Sequence, residues 1–125
     1  MWSLLLKFSV LSVGAVCGAG LRYGLSLCFS TASLPVATIV ANTLGCFVLG
    51  LVWQYKQMHG LSELASLLLM LGFCASLTTF STIILDSLLL INAAQWLKAV
   101  AYFFLTTLLG FLALILATVV MRVFY

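Results

Sequence analysis

Four hydroxyl side chains lie within five consecutive residues of an otherwise apolar stretch, GFCASLTTFST (72–82). They belong to Thr78, Thr79, Ser81 and Thr82. If the helix is unwound here, the hydroxyls and the freed backbone carbonyls form a polar site that suits an ion better than a large substrate. In a continuous helix each hydroxyl would instead bond the carbonyl oxygen one turn back. The stretch therefore predicts one of two structures, an ion site at a break or a helix with back-bonded hydroxyls.

Few other side chains in the sequence can do chemistry. The only acids are Glu63 and Asp86, and the only imidazole is His59. These residues cannot supply a Ser/His/Asp set, a metal-spaced cluster or a phosphate-binding loop. The four cysteines form no CxxC pair, and inside apolar spans a thiol usually acts as a small apolar residue. We therefore do not expect an enzyme.

The composition is typical of a membrane protein. Hydrophobic residues make up 66% of the chain and charged residues 6%, with a single proline. A chain of 125 residues can hold four spans of about 20 residues each, which leaves no room for a soluble domain. The net charge of +3 comes from scattered cations, so we expect a lipid bilayer and no nucleic acid as partner.

The hydroxyl cluster lies in the third of four predicted transmembrane helices. Apolar runs place these helices in a single domain, residues 1–125, at about 4–27, 36–57, 64–91 and 96–123. The first connector is marked by Ser30, Thr31, Ser33 and Pro35. As a continuous helix the third span would be about 42 Å long, against a hydrocarbon core of about 30 Å. That span must therefore tilt, protrude or break, and Thr78 lies near its middle.

The cations are divided almost equally between the two sides of the membrane. Four spans put both termini and the second connector on one side, with Lys7, Lys56 and Arg122, and leave Arg22 and Lys98 on the other. An excess of Lys and Arg in cytoplasmic segments normally sets the orientation. Three against two is nearly a tie, which favours insertion in both orientations and pairing of two opposed copies.

Three patches resemble one known family in order and spacing. They are GAVCGAGLRY (14–23), PVATIVANTLGCFVLG (35–50) and GFCASLTTFST (72–82). Together they are similar to the CrcB/Fluc family of fluoride channels. The matching residues are Arg22 and Tyr23, then Thr38, Asn42, Gly45, Phe47 and Gly50, and finally Thr78, Thr79, Phe80, Ser81 and Thr82.

The resemblance implies both a fold and a function. The fold is an all-α membrane protein with four transmembrane helices, the third broken near the midplane, paired as an antiparallel dual-topology dimer. The function is passive, selective fluoride export across the cell inner (plasma) membrane, giving fluoride resistance. The partner implied is a second copy in the opposite orientation or a paralogous subunit.

The resemblance also assigns residues. The implied fluoride pathway comprises Asn42, Phe80, Ser81, Thr82, Tyr102 and Thr106. Arg22 would lie at a vestibule that gathers anions, and Asp86 would order neighbouring donors rather than bind fluoride. The main-chain carbonyls of Ala75 and Thr78 would hold a structural sodium ion at the dimer interface.

Several positions depart from the family pattern. Two family glycines are replaced by Ala75 and Ser76, and the second phenylalanine of the signature is Ile83. On the last helix Gly110 is followed by Phe111, where the family tends to have a small hydroxyl. These changes affect the expected conduction more than the expected fold. The chain is therefore also a candidate for a partial subunit of a heterodimeric channel.

Two other classes of protein remain as alternatives. A small multidrug exporter also has four helices, but it needs a carboxylate in the first span, and this span has none. A non-conducting subunit that only packs against a partner would explain the small-residue pairs Gly14/Gly18 and Ala41/Gly45, which favour close helix packing, but not the hydroxyl cluster.

Overall fold

The computed structural model describes residues 2–30 and 34–125, and within these ranges the secondary structure is helical. The elements are α1 (Trp2–Cys28), α2 (Val36–His59), α3 (Glu63–Ser66), a π-helix (Leu67–Cys74), α4 (Ala75–Leu77), α5 (Phe80–Asn92) and α6 (Trp96–Phe124). Because α3 to α5 form one run, four helical runs are long and apolar enough to cross a membrane. The prediction of an all-helical, four-span membrane protein is confirmed. Thr31 and Ser33 of the predicted first connector lie outside the described residues.

Local sequence signals define the turns at both ends of the third run. Gly60 ends α2 with φ of 77°, a left-handed conformation that glycine adopts without strain. Ser62 then caps α3 by accepting a hydrogen bond from the N–H of Ala65 at 3.2 Å. At the other end the short connector to α6 contains Ala94 in a left-handed conformation, φ 58°. That turn contains no glycine.

Small residues bring α1 close to the π-helix. A Cβ on Gly14 or Gly18 would overlap a backbone carbonyl oxygen, that of Leu68 or Phe73 respectively. From the other side, a Cβ on Gly72 would lie 2.9 Å from the carbonyl oxygen of Leu11. Helices in lipid gain stability by such close backbone approach. The small-residue spacing in α1 therefore specifies the packing of the helix that precedes the hydroxyl cluster.

The contact between α2 and α6 is built in the same way. A Cβ on Gly50 would lie 2.6 Å from the carbonyl oxygen of Leu114, and one on Gly110 would lie 3.2 Å from the sulfur of Cys46. Near the chain's start, an ion pair between Lys7 and Glu63 joins α1 to α3. In the bundle α1 packs against the π-helix and α4, and α6 packs against α2 and α5.

Candidate functional site

Two residues with extended backbone separate α4 from α5. Thr78 has φ −79° and ψ 150°, and Thr79 has φ −152° and ψ 122°. The N–H of Thr79 donates to Asn42 Oδ1 at 2.7 Å, and the N–H of Thr82 donates to Thr79 Oγ1 at 3.3 Å. In a continuous helix these two N–H groups would bond the carbonyls of Ala75 and Thr78. Those two carbonyl oxygens are thereby released from their helical donors.

Asn42 of α2 replaces the hydrogen bonds that the backbone gives up at this point. Its amide oxygen accepts from the N–H of Thr79, while its Nδ2 donates to the carbonyl oxygen of Thr79 at 3.2 Å. The side chain is only 6% exposed. Gly45, one turn further along α2, leaves room for Thr78, whose Cγ2 would lie 2.5 Å from a Cβ at that position. One face of α2 therefore holds the extended segment in place.

The four hydroxyls of the opening stretch do not share one role. Thr78 Oγ1 donates to the carbonyl oxygen of Cys74 at 3.0 Å, which is the back-bonded geometry of an ordinary helix. Thr79 caps α5, and its Oγ1 lies 3.0 Å from Thr82 Oγ1 and 3.3 Å from Ser81 Oγ. Thr78 therefore has the back-bonded hydroxyl of an ordinary helix, and the backbone becomes extended at Thr78 and Thr79.

A cavity of about 380 Å³ opens beside the extended segment. Its polar lining includes Asn42, Thr78, Thr79 and Thr106, and its aromatic lining is Phe80 and Phe111. Thr106 is 2% exposed, and its Oγ1 has no hydrogen-bond partner among residues 2–30 and 34–125. A buried hydroxyl is normally paired. The Thr106 hydroxyl is therefore free to bond a polar group that enters the cavity.

Arg22 lies on the other side of the extended segment. Its Nε donates to the carbonyl oxygen of Ser76 at 3.2 Å. With Tyr23, Thr38 and Thr82 it lines a second cavity, of about 250 Å³. The guanidinium thus helps to satisfy the end of α4, where a cation is electrostatically favourable, and it also borders open space.

Asp86 accepts two hydroxyl hydrogen bonds from neighbouring helices. Thr38 Oγ1 of α2 donates to Asp86 Oδ2 at 3.0 Å, and Tyr102 OH of α6 donates to the same oxygen at 2.8 Å. Asp86 also lines a third cavity, of about 440 Å³, together with Thr38 and Thr82. The carboxylate therefore orients donors on two helices.

The structure brings some of the predicted pathway residues together and separates others. Asn42, Phe80 and Thr106 line one cavity, and Thr82 lines the two cavities on the opposite side. Ser81 is exposed, and Tyr102 is buried and hydrogen-bonded to Asp86. Sequence reasoning missed Thr79 as the cap that joins the hydroxyls, although a threonine directly before an apolar helical run is a known N-cap signal.

Four apolar helical runs with a polar interruption in the third define a small multi-pass helical membrane protein. Residues 9–118 match the family model described as CrcB-like protein, Camphor Resistance (CrcB). The chain belongs to this family. It is a multi-pass protein of the inner membrane.

Three curated relatives carry the name Fluoride-specific ion channel FluC. The protein from Oceanobacillus iheyensis is 41% identical over 103 residues, which covers 81% of this chain and 80% of that protein. The one from Nitratidesulfovibrio vulgaris is 34% identical over 108 residues, covering 83% and 87%. The one from Chloroflexus aurantiacus is 36% identical over 111 residues, covering 85% and 87%.

Proposed function

We propose that this chain is the subunit of a fluoride-selective channel that lets fluoride leave the cell passively and so gives fluoride resistance. The observation that carries the proposal is the cavity beside the extended segment, which combines an amide, hydroxyls and phenyl rings. Fluoride is strongly hydrated, and hydroxyl and amide donors can replace part of that water. The positive edge of a phenyl ring can also face an anion. Membership of a family whose relatives are named fluoride-specific channels supports the same function.

Within this proposal, the pathway runs along both sides of the start of α5. Asn42, Phe80 and Thr106 act in the first cavity, and Ser81 and Thr82 offer hydroxyls beyond it. Tyr102 takes part in the path indirectly, because its hydroxyl donates to Asp86, which lines a cavity together with Thr82. The carboxylate itself would repel fluoride, so its role is to hold the hydroxyls of its neighbours in one orientation. No step in passive conduction calls for a catalytic group.

Arg22 serves in the proposal as the charged group of a vestibule. Its Nε is engaged by the carbonyl of Ser76, while a guanidinium carries five N–H donors in all. It also lines the second cavity next to Thr82. Its charge attracts anions towards the path without lying in the middle of it, where a cation would bind fluoride too tightly for fast release.

We further propose that the extended segment lies near the bilayer midplane and that the carbonyls of Ala75 and Thr78 hold a sodium ion between two protomers. The release of both carbonyls from their helical donors supports this role, because hard cations prefer oxygen ligands. Irregular backbone at that depth needs partners in protein or water. The positive charge of the sodium ion would balance the partial negative charges of the carbonyl oxygens that the two protomers bring together.

The partner in this assembly is a second copy in the opposite orientation, or a paralogous subunit. The nearly equal division of cations favours insertion both ways. A single chain also leaves Phe80 66% exposed at the mouth of its cavity. A second copy in the opposite orientation would cover the opening of this cavity, and the dimer would then contain two symmetry-related paths.

The proposed function is tested by ion efflux from liposomes that contain only this protein. We expect fluoride to be released passively while chloride stays inside, as recorded with the two ion-selective electrodes. Protein-free liposomes of the same lipid are the control. Proton-coupled uptake of a cationic dye without fluoride flux would instead identify a multidrug exporter, and fluoride flux only after addition of a paralogous chain would identify a partial subunit.

The opposed orientation is tested by labelling a cysteine placed at the C-terminus. The variant carries Tyr125→Cys in a chain whose native cysteines are replaced by alanine. In intact cells we expect an impermeant maleimide to reach about half of the C-termini. The matched variant Lys98→Gln leaves three cations against one, so labelling from outside should fall sharply. Labelling of no C-terminus, or of all of them, in the first variant contradicts the opposed arrangement.

A further inference from the structure

Two departures from the family pattern meet at one place in the structure. Ile83 stands where the family has its second phenylalanine, and Phe111 stands where the family tends to have a hydroxyl. Both residues line the cavity of about 380 Å³ that also contains Phe80 and Thr106. Both departures therefore change the lining of the same cavity, so the effect of one depends on the other.

Ile83 and Phe111 differ in how they take part in that cavity. Ile83 is 6% exposed and belongs to a packed cluster with Leu90, Ala99 and Tyr102. Phe111 is 64% exposed, almost the same as Phe80 at 66%. Ile83 is thus packed in the core beneath the cavity, whereas Phe80 and Phe111 are largely exposed along its side.

We infer that Phe111 is the second aromatic group of the fluoride path, supplied by α6 in place of the ring that Ile83 lacks. The inference rests on the proposed function and extends it to one further residue of the fluoride path. Phe80 begins α5, and its ring packs edge-on against Phe103 at 6.4 Å between centroids. Phe111 approaches from the opposite helix, so the two rings border one cavity from two elements.

The position of Phe111 suits an anion that also needs a hydrogen-bond donor. Thr106 and Phe111 lie on the same helix and line the same cavity, and Thr106 Oγ1 has no partner within the described part of the chain. A hydroxyl can donate to fluoride while the positive edges of neighbouring rings replace further water molecules.

The test compares two substitutions at Phe111 with one at a matched control position. Phe111→Ile keeps apolar bulk but removes the ring, and we expect fluoride flux per assembled particle to fall at least about tenfold. Phe111→Tyr keeps a ring edge and should stay within about twofold of the parent. Phe8→Ile is the control, because Phe8 lies on α1 with the same 64% exposure and away from this cavity.

A second variant keeps the inference testable if Phe111→Ile does not assemble. Pentafluorophenylalanine at position 111 retains the ring and nearly its size but makes the ring edge negative, so flux should fall in the same way. Flux at the parental rate in an assembled Phe111→Ile or pentafluorophenylalanine protein overturns the inference and leaves the proposed function standing. A parent protein with no fluoride flux at all overturns the proposed function first and this inference with it.

Discussion

An Asn42→Leu protein is expected to lose both fluoride flux and much of its stability. Leucine has a similar size but cannot bond the N–H and the carbonyl oxygen of Thr79, which Asn42 reaches at 2.7 and 3.2 Å. Leaving a buried backbone group unsatisfied costs about 1–3 kcal/mol, and because both groups of Thr79 are only partly buried, we expect a loss of about 1–3 kcal/mol in total in the free energy of unfolding. The extended segment would then lose the geometry that opens the cavity.

Two further variants separate this role from a general loss of polarity. Asn42→Gln keeps both the donor and the acceptor of the amide on a longer side chain, so it should fall between the parent and Asn42→Leu. Asn92→Leu changes an exposed asparagine at the end of α5 and should leave stability and flux almost unchanged. Unfolding in detergent and liposome efflux measure the two effects. A stable, conducting Asn42→Leu protein would show that the extended segment needs no support from α2.

The sequence predicts the four spans well because each depends on a property of contiguous residues. Apolar length and a low charge count are sufficient, whatever each helix packs against. The density of hydroxyl groups at Thr78 and Thr79 also marks the position of the extended segment, although the N-cap formed by Thr79 was not predicted. By contrast, the π-helix LLLMLGFC is uniformly apolar, and no periodicity distinguishes it from an α-helix. In the structure this π-helix packs closely against α1 at Gly72.

The set of residues that line each cavity could not be derived from the sequence, because it depends on how the helices pack in the bundle. Phe80 and Thr82 are two residues apart, yet they line different cavities. On a helix two residues differ by about 200° in direction, so neighbours in the motif face opposite sides. Phe111 shows the same limit. In the sequence Phe111 appears only as the absence of a hydroxyl, whereas in the structure it lines the same cavity as Phe80.

The second large effect is expected at Gly18, which positions α1 against the helix that leads into the site. A Cβ here would overlap the carbonyl oxygen of Phe73 and lie 3.0 Å from the backbone nitrogen of Leu77. These are backbone atoms, so a change of rotamer cannot relieve the overlap, and α1 would have to move away from the π-helix and α4. For Gly18→Ala we expect the free energy of unfolding to fall by about 1–3 kcal/mol or more.

Gly24→Ala on the same helix is the matched control, because no described atom lies within 4 Å of a Cβ at that position. Alanine is favoured over glycine inside a helix by about 0.5–1 kcal/mol, so this variant should be as stable as the parent or slightly more stable.

The comparison of Gly18→Ala with Gly24→Ala also tests function. Arg22 lies one turn beyond Gly18 and bonds the carbonyl of Ser76 at 3.2 Å. A displaced α1 would withdraw the guanidinium from the vestibule, so those Gly18→Ala particles that still assemble should conduct fluoride more slowly than Gly24→Ala particles. Equal stability and equal flux for the two variants would mean that α1 is not held by backbone contact at Gly18.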